Sequence, residues 1–204
     1  MLVQTTLFDL SKFEKRRTSS QDEFEKNNHN LLIDFPEMVH LGHKRLHDDI
    51  LSKIELRSRD NKLNATAMSG FLRGQLIEKY PNYCAKATKS RFKMHNDKSE
   101  WIFVKKLTSK KRPANIPTIA NQVIINQLTD SDSDTQQNVF LGYTASKNLS
   151  HITGIYAVCI DGNKILWISD LIQYAKKEKL NPSIDITKQT KLKEGIVKIK
   201  TKVG

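Results

Sequence analysis

The amino-acid sequence predicts an α+β fold with a mixed, largely antiparallel sheet and flanking helices. Apolar residues recur at helical spacing in four segments, whereas they alternate along six shorter ones as they do in strands. The segments follow one another as helices, hairpin, helix, strands, helix and strand. This order lacks the regular alternation of a parallel sheet and therefore favours antiparallel pairing.

The predicted helices begin and end at recognisable residues. Pro36 suits the first turn of one helix. Tyr80-Pro81 ends a second helix, and Ser169 or Asp170 can cap the last one. The predicted helices cover residues 36–56, 65–79, 116–128 and 169–179.

Turn residues separate the predicted strands. The polar segment 95–99 forms the loop of a β-hairpin, and Asp161-Gly162 is a strong signal for a second hairpin. The last strand alternates apolar residues with a lysine face, which fits a sheet edge. The predicted strands cover residues 90–94, 100–107, 139–144, 152–160, 164–168 and 197–203.

Composition indicates one soluble domain with flexible ends. The 204 residues are 38% hydrophobic and 27% charged, enough for a single core with a polar surface. No apolar run approaches the ~18–20 residues of a spanning helix, and no signal peptide is recognisable, so we expect a cytoplasmic protein without membrane contact. The predicted organisation is an N-terminal peptide and flexible linker over 1–30, a core domain over 31–180 and a basic tail with a terminal strand over 181–204.

Positive charge is concentrated in two short regions. Residues 86–112 carry ten Lys and Arg against two acids, and residues 176–204 carry nine Lys against three acids, in a chain of net charge +12. Such segregated charge attracts a polyanion, usually nucleic acid. We therefore expect a small nucleic-acid-binding protein, with DNA favoured over RNA, that binds rather than catalyses. The alternative is a basic interaction protein or inhibitor that grips an acidic protein surface or a protein–nucleic-acid complex.

The predicted hairpin places cations and aromatic rings on one face. With 95–99 as the loop, Lys93 lies opposite Trp101 and Arg91 opposite Phe103, while Met94 faces the core. Lysines on this face would neutralise phosphates, and rings would stack on bases at ~1–3 kcal/mol each. In the alternative, the rings are buried under a helix and the cations form a solubilising face. The predicted nucleic-acid-binding residues are Lys89, Arg91, Lys93, Trp101, Phe103, Lys105, Lys110, Lys111 and Arg112.

The predicted strands over 139–143, 155–159 and 165–168 resemble the later half of a restriction-endonuclease-like domain. This resemblance implies a divalent-metal nuclease, in which carboxylates hold Mg²⁺ and a lysine orients the attacking water. The hairpin supplies Asp97, Glu100 and Lys105 for these roles. Because the spacing places Glu100 and Lys105 on opposite faces of a strand, we expect no catalysis and no cofactor, with Mg²⁺ required only by the nuclease alternative.

No metal site is expected elsewhere. His40, His43 and His47 form a stripe on one predicted helix, but neither a HExxH motif nor a cysteine accompanies them, so we interpret them as helix-edge residues. Cys84 and Cys159 lie far apart without a CxxC motif and are predicted to be buried.

Gln4, Leu7 and Phe8 resemble the bacterial sliding-clamp-binding peptide, in which a glutamine is followed three residues later by a Leu-Phe pair. The resemblance implies a sliding clamp as a partner, with the apolar pair buried in its groove. A structural first strand or a disordered tail explains the same residues without a partner.

Overall fold

The computed structural model describes residues 10–53, 61–85, 92–95, 100–114, 118–129, 136–147 and 149–180. Within them lie five α-helices and eight strands, which confirms the α+β prediction. The helices are α1 (Gln21–Asn27), α2 (His29–Arg45), α3 (Asn61–Lys79), α4 (Ile119–Ile125) and α5 (Leu171–Leu180). The strands are β1 (Glu14–Lys15), β2 (Cys84–Ala85), β3 (Lys93–His95), β4 (Trp101–Lys106), β5 (Leu128–Thr129), β6 (Asn138–Ala145), β7 (Ile152–Asp161) and β8 (Lys164–Asp170).

Six strands form the main sheet in the order β2-β3-β4-β6-β7-β8. Every neighbouring pair is antiparallel except β4 and β6, which are parallel. Strands β1 and β5 form a separate antiparallel pair. The sheet is therefore mixed and largely antiparallel, as predicted.

The two faces of the sheet are covered unequally. On one face, which we call the helix face, Ile102, Val139 and Leu141 pack into a large core with residues of α1, α2, α3 and α5. On the other face, Phe103 and Phe140 belong to a smaller core, against which Ile124 and Ile125 of α4 pack. Among the described residues, Trp101 and Tyr156 at the margin of this core are only partly buried.

A flexible linker was expected within residues 1–30, but the described residues 10–30 are held against the domain. Ser20 caps α1 by accepting a hydrogen bond from the Glu23 amide, and Phe24 is fully buried. The segment 10–20, here called the N-terminal strap, is also fixed. In it, the Arg16 guanidinium donates to the Leu128 and Gln136 carbonyls. A buried ring, a helix cap and the hydrogen bonds of Arg16 together hold a segment that is almost without aliphatic residues.

Helix α2 begins seven residues before the predicted start, so Pro36 lies inside the helix rather than in its first turn. The helix continues as a π-turn over Leu46–Ile50 and a 3₁₀ turn over Leu51–Lys53. Helix α3 runs without interruption past Ser69 and Gly70 and begins four residues before its predicted start at Ala65.

The β3–β4 hairpin has a different register from the predicted one. Lys93 pairs with Phe103 and His95 with Trp101, a shift of two residues. The predicted pairing was wrong because His95 belongs to the strand and not to the loop. A shift of two leaves every side chain on its predicted face, since strand side chains alternate with a period of two.

Several predictions lie outside the described residues. They concern the peptide over 1–9, the tail over 181–204 and three single residues, Lys89, Arg91 and Asp97. None of the helices in the described ranges combines the length and the apolar character needed to cross a membrane.

Candidate nucleic-acid interface

Trp101 lies between a cation and an imidazole at the start of β4. The Lys93 Nζ is 3.5 Å from the centroid of the indole ring, and the His95 ring centroid is 4.4 Å away at a tilt of 37°. His95 is held in turn by Gln136, whose Oε1 is 2.5 Å from the imidazole Nε2. Trp101 is half-buried, so part of the ring reaches the surface beside two basic side chains.

Phe103 does not lie at the surface. The ring is 6% exposed, and its centroid is 5.8 Å from that of Phe140 in the smaller core. Ile124 and Ile125 of α4 pack against the same core. Phe103 was predicted to stack on bases, and its burial under α4 excludes that role.

A short basic loop follows β4 and crosses the second sheet face. Its ends are joined at Leu107 and Pro113, and Lys111 has a positive φ of 58°. Strand β4 and the first loop residue lie directly on β6 at Gly142, where a Cβ would meet both the Lys105 carbonyl oxygen and the Leu107 side chain. This close approach fixes the loop on the sheet.

Lysines project around this loop beside a second aromatic ring. The Lys111 Nζ is 4.7 Å from the centroid of the Tyr156 ring, and Lys110 is exposed. Tyr156 pairs with Gly142, which in turn pairs with Lys105, so these three residues share one row of the sheet. Tyr156 was not among the predicted binding residues, although its alternation with buried residues of β7 could have placed it there.

Arg112 has a structural role. Its guanidinium donates to the Asn163 carbonyl oxygen at 2.6 Å and to the Gly162 carbonyl oxygen. Gly162 has a φ of 56° in the turn between β7 and β8, and Arg112 therefore fixes this turn to the loop. The guanidinium is occupied by these contacts, in contrast to its predicted role on phosphate.

Two acidic side chains near this face are already engaged. Asp170 caps α5 by accepting from the amides of Ile172 and Gln173 at 3.0 and 3.2 Å. Asp161 pairs with Lys15 at 2.5 Å.

We call the remaining surface the basic sheet face, and it consists of Lys93, His95, Trp101, Lys105, Lys110, Lys111 and Tyr156.

The proposed catalytic residues are separated. Glu100 is 1% exposed and accepts hydrogen bonds from Ser19 Oγ at 3.0 Å and Asn28 Nδ2 at 3.1 Å, on the helix face. Lys105 belongs to the opposite face, and Asp97 lies outside the described residues. The described part of the chain contains no group of three His, Cys, Asp or Glu side chains that could hold a metal ion.

Two residues of the histidine stripe bind the turn between β6 and β7. His43 Nε2 and His47 Nε2 lie 2.8 and 3.1 Å from the Leu149 carbonyl oxygen. Leu149 is fully buried and has a φ of 54°. These histidines hold the turn at its one buried residue, Leu149, among the turn's described residues, which is a structural role on the helix edge.

No protein-family model matches the chain, and neither a curated protein nor a solved structure is significantly similar to it. The likenesses to restriction endonucleases and to clamp-binding peptides therefore stay predictions. Function is inferred from the side chains of the basic sheet face.

Proposed function

We propose that the protein binds nucleic acid, with DNA as the favoured ligand, through the basic sheet face and without cleaving it. The observation that carries the proposal is the gathering of Lys93, Lys105, Lys110 and Lys111 around two partly exposed rings. Lysines bind the phosphate backbone by releasing condensed counterions. The rings of Trp101 and Tyr156 offer stacking platforms for bases that are not paired.

Base stacking on Trp101 requires a rearrangement of Lys93, which now lies over the ring. A phosphate is a stronger partner for the ammonium group than an indole, because a charged hydrogen bond exceeds a surface cation–π contact. A bound strand would draw Lys93 to its backbone and release the ring. Trp101 fluorescence, measured in a Trp167→Phe variant, should therefore quench when single-stranded DNA is added.

The decisive experiment removes two loop lysines. Lys110→Ala/Lys111→Ala should weaken DNA binding and reduce the slope of log affinity against log salt by roughly two. The matched control is Lys176→Ala/Lys177→Ala, which removes the same charge from exposed positions of α5, on the helix face. Equal affinities for the two double variants would show that only net charge matters and would remove the basic sheet face from the proposal.

An acidic protein surface is the alternative ligand for the same lysines. The aromatic rings favour nucleic acid, because bases stack on them whereas carboxylates do not. If the electrophoretic mobility of the purified protein shifts with an acidic protein partner and does not shift with DNA at low salt, binding to an acidic protein replaces the proposal.

The sliding-clamp proposal concerns residues before the strap. Gln4, Leu7 and Phe8 lie outside the described residues, whereas the strap is anchored where Lys15 contacts Asp161 and the Asn126 carbonyl. Because the strap is part of the domain, the distance from the domain to a clamp must be spanned by residues 1–9 alone. Nine residues span at most about 30 Å. Calorimetry of a peptide of residues 1–12 against a purified clamp, with Leu7→Ala/Phe8→Ala as control, tests it. Equal heats from both peptides would end this proposal.

A further inference from the structure

A cavity of about 340 Å³ lies between α3 and the end of β4, apart from the centre of the basic sheet face. It forms where β4 extends beyond its described pairing with β3, which ends at Phe103. Its volume is near the lower end of the ~300–1,000 Å³ of small-molecule sites.

The polar side chains that line the cavity can all donate hydrogen bonds. Lys105 and Lys106 of β4 and the hydroxyls of Thr66 and Ser69 on α3 line it, and none of its described lining residues is acidic. Lys106 pairs with Tyr143 across β4 and β6, so both belong to the helix face. The Lys106 ammonium beside two hydroxyls suits an anion with several acceptor oxygens and nearly two charges, which describes a phosphate monoester.

The rest of the lining is mostly apolar. Leu72 and Tyr143 are buried and Val104 is half-buried, and only Tyr143 among these three carries a hydroxyl. These side chains form a wall against which a flat ring can pack. A sugar phosphate would leave this wall unused, whereas a nucleoside would cover it.

We infer that this cavity binds a nucleoside monophosphate unit, with the phosphate at Lys106, Thr66 and Ser69 and the base against Leu72 and Tyr143. The unit can be a free nucleotide or the terminal nucleotide of a strand. The cavity itself does not require nucleic-acid binding by the basic sheet face, because it lies mainly on the helix side of the sheet.

The test is calorimetry of the full chain with AMP at low salt, with adenosine and inorganic phosphate as its separate halves. AMP should bind, and each half should bind more weakly. Lys106→Gln should weaken AMP by about tenfold or more, as expected for loss of a charged hydrogen bond. Ser69→Leu should abolish binding by filling the cavity without changing charge. Lys44→Gln, a charge-matched change at an exposed position of α2, should leave affinity unchanged.

Absence of AMP binding would overturn the inference, and so would AMP binding that survives both Lys106→Gln and Ser69→Leu. The affinities for oligonucleotides with a 5′-phosphate and with a 5′-hydroxyl distinguish a strand terminus from a free nucleotide as the ligand. A preference for the phosphorylated end that disappears in Lys106→Gln identifies a strand terminus. AMP binding without any end preference identifies a free nucleotide. The test of the basic sheet face uses Lys110 and Lys111. Nucleic-acid binding by that face and nucleotide binding by the cavity can therefore be contradicted independently of each other.

Discussion

Glu100 is a buried carboxylate that two neighbours hold in place. Glu100→Ala should lower the free energy of unfolding by about 2–3 kcal/mol, because Ser19 and Asn28 lose a charged acceptor in a buried site. Glu100→Gln should cost less, since it keeps an acceptor oxygen. Urea denaturation measures both. If Glu100→Ala kept full stability while removing an Mg²⁺-dependent cleavage of DNA, Glu100 would be catalytic.

Cys159 makes the free energy of unfolding depend on pH in the alkaline range. Burial, reinforced by the charges of Asp161 and Glu100, raises the pKa of this thiol to about 12. The thiol of a cysteine in the unfolded chain has a pKa of about 8.5. The unfolded state therefore releases its proton first, so this contribution to stability is full below that pH and is lost as the pH rises towards 12.

Cys159→Ala tests this link. Between pH 8 and 11, the Tm of the wild type should fall more steeply than that of the variant, because the variant lacks one proton-linked group. The comparison uses the slope, since the lost side-chain volume shifts every Tm of the variant. Parallel slopes would show that the thiol is not protected by burial.

At the scale of elements, glycines of α3 and β6 should respond in opposite directions. A Cβ added at Gly70 or Gly74 meets nothing within 4 Å, so Gly70→Ala and Gly74→Ala should each stabilise by about 0.5–1 kcal/mol. A Cβ at Gly142 would meet the Lys105 carbonyl oxygen and the Leu107 side chain, so Gly142→Ala should destabilise by about 1–3 kcal/mol. Thermal melts measure all three. Loss of stability at Gly70 or Gly74 would mean that this side of α3 is covered in solution.

Periodicity predicted the elements better than their pairing. Alternation placed Met94 and Ile102 on the core side, and both are fully buried. It did not decide between registers two residues apart, since both bury the same side chains. The start of α2 was missed because a proline at position 36 is more often an N-terminal signal than an interior residue.

The candidate site was predicted in part. The sequence placed Lys93 and Trp101 on one face, and the structure brings them into contact. It could not show that α4 covers Phe103, because which face a crossing helix covers is decided by tertiary packing. The role of Arg112 depends on a turn fifty residues away and has no local signal.

For the whole molecule, charge differs between the two sides of the sheet. The outer groove between α2 and α3 carries three acidic side chains, Asp34, Glu37 and Glu78, against the two basic ones of Arg45 and Lys79, whereas the opposite side carries the basic sheet face. Such a distribution orients a polyanion before contact.

Four to six neutralised phosphates should give a slope of roughly −4 to −5 for log affinity on duplex DNA against log salt. The lower number of neutralised phosphates corresponds to the four lysines of the basic sheet face. Adding Lys89 and Arg91 gives the upper number. Fluorescence anisotropy of labelled DNA at several salt concentrations measures the slope. A flat titration would contradict an electrostatic interface.

The N-terminal strap also sets the order of events during synthesis. Its Ser19 carbonyl accepts from the indole of Trp167, 148 residues later, and its Arg16 amide pairs with the Gln127 carbonyl. At about 5–20 residues per second, the ribosome takes roughly 7–30 s to deliver that tryptophan after the serine. The helices α1 to α3 have time to collapse in that interval, but the strap waits for β8. The contact between the strap and β8 therefore forms only after the rest of the described sheet has been made.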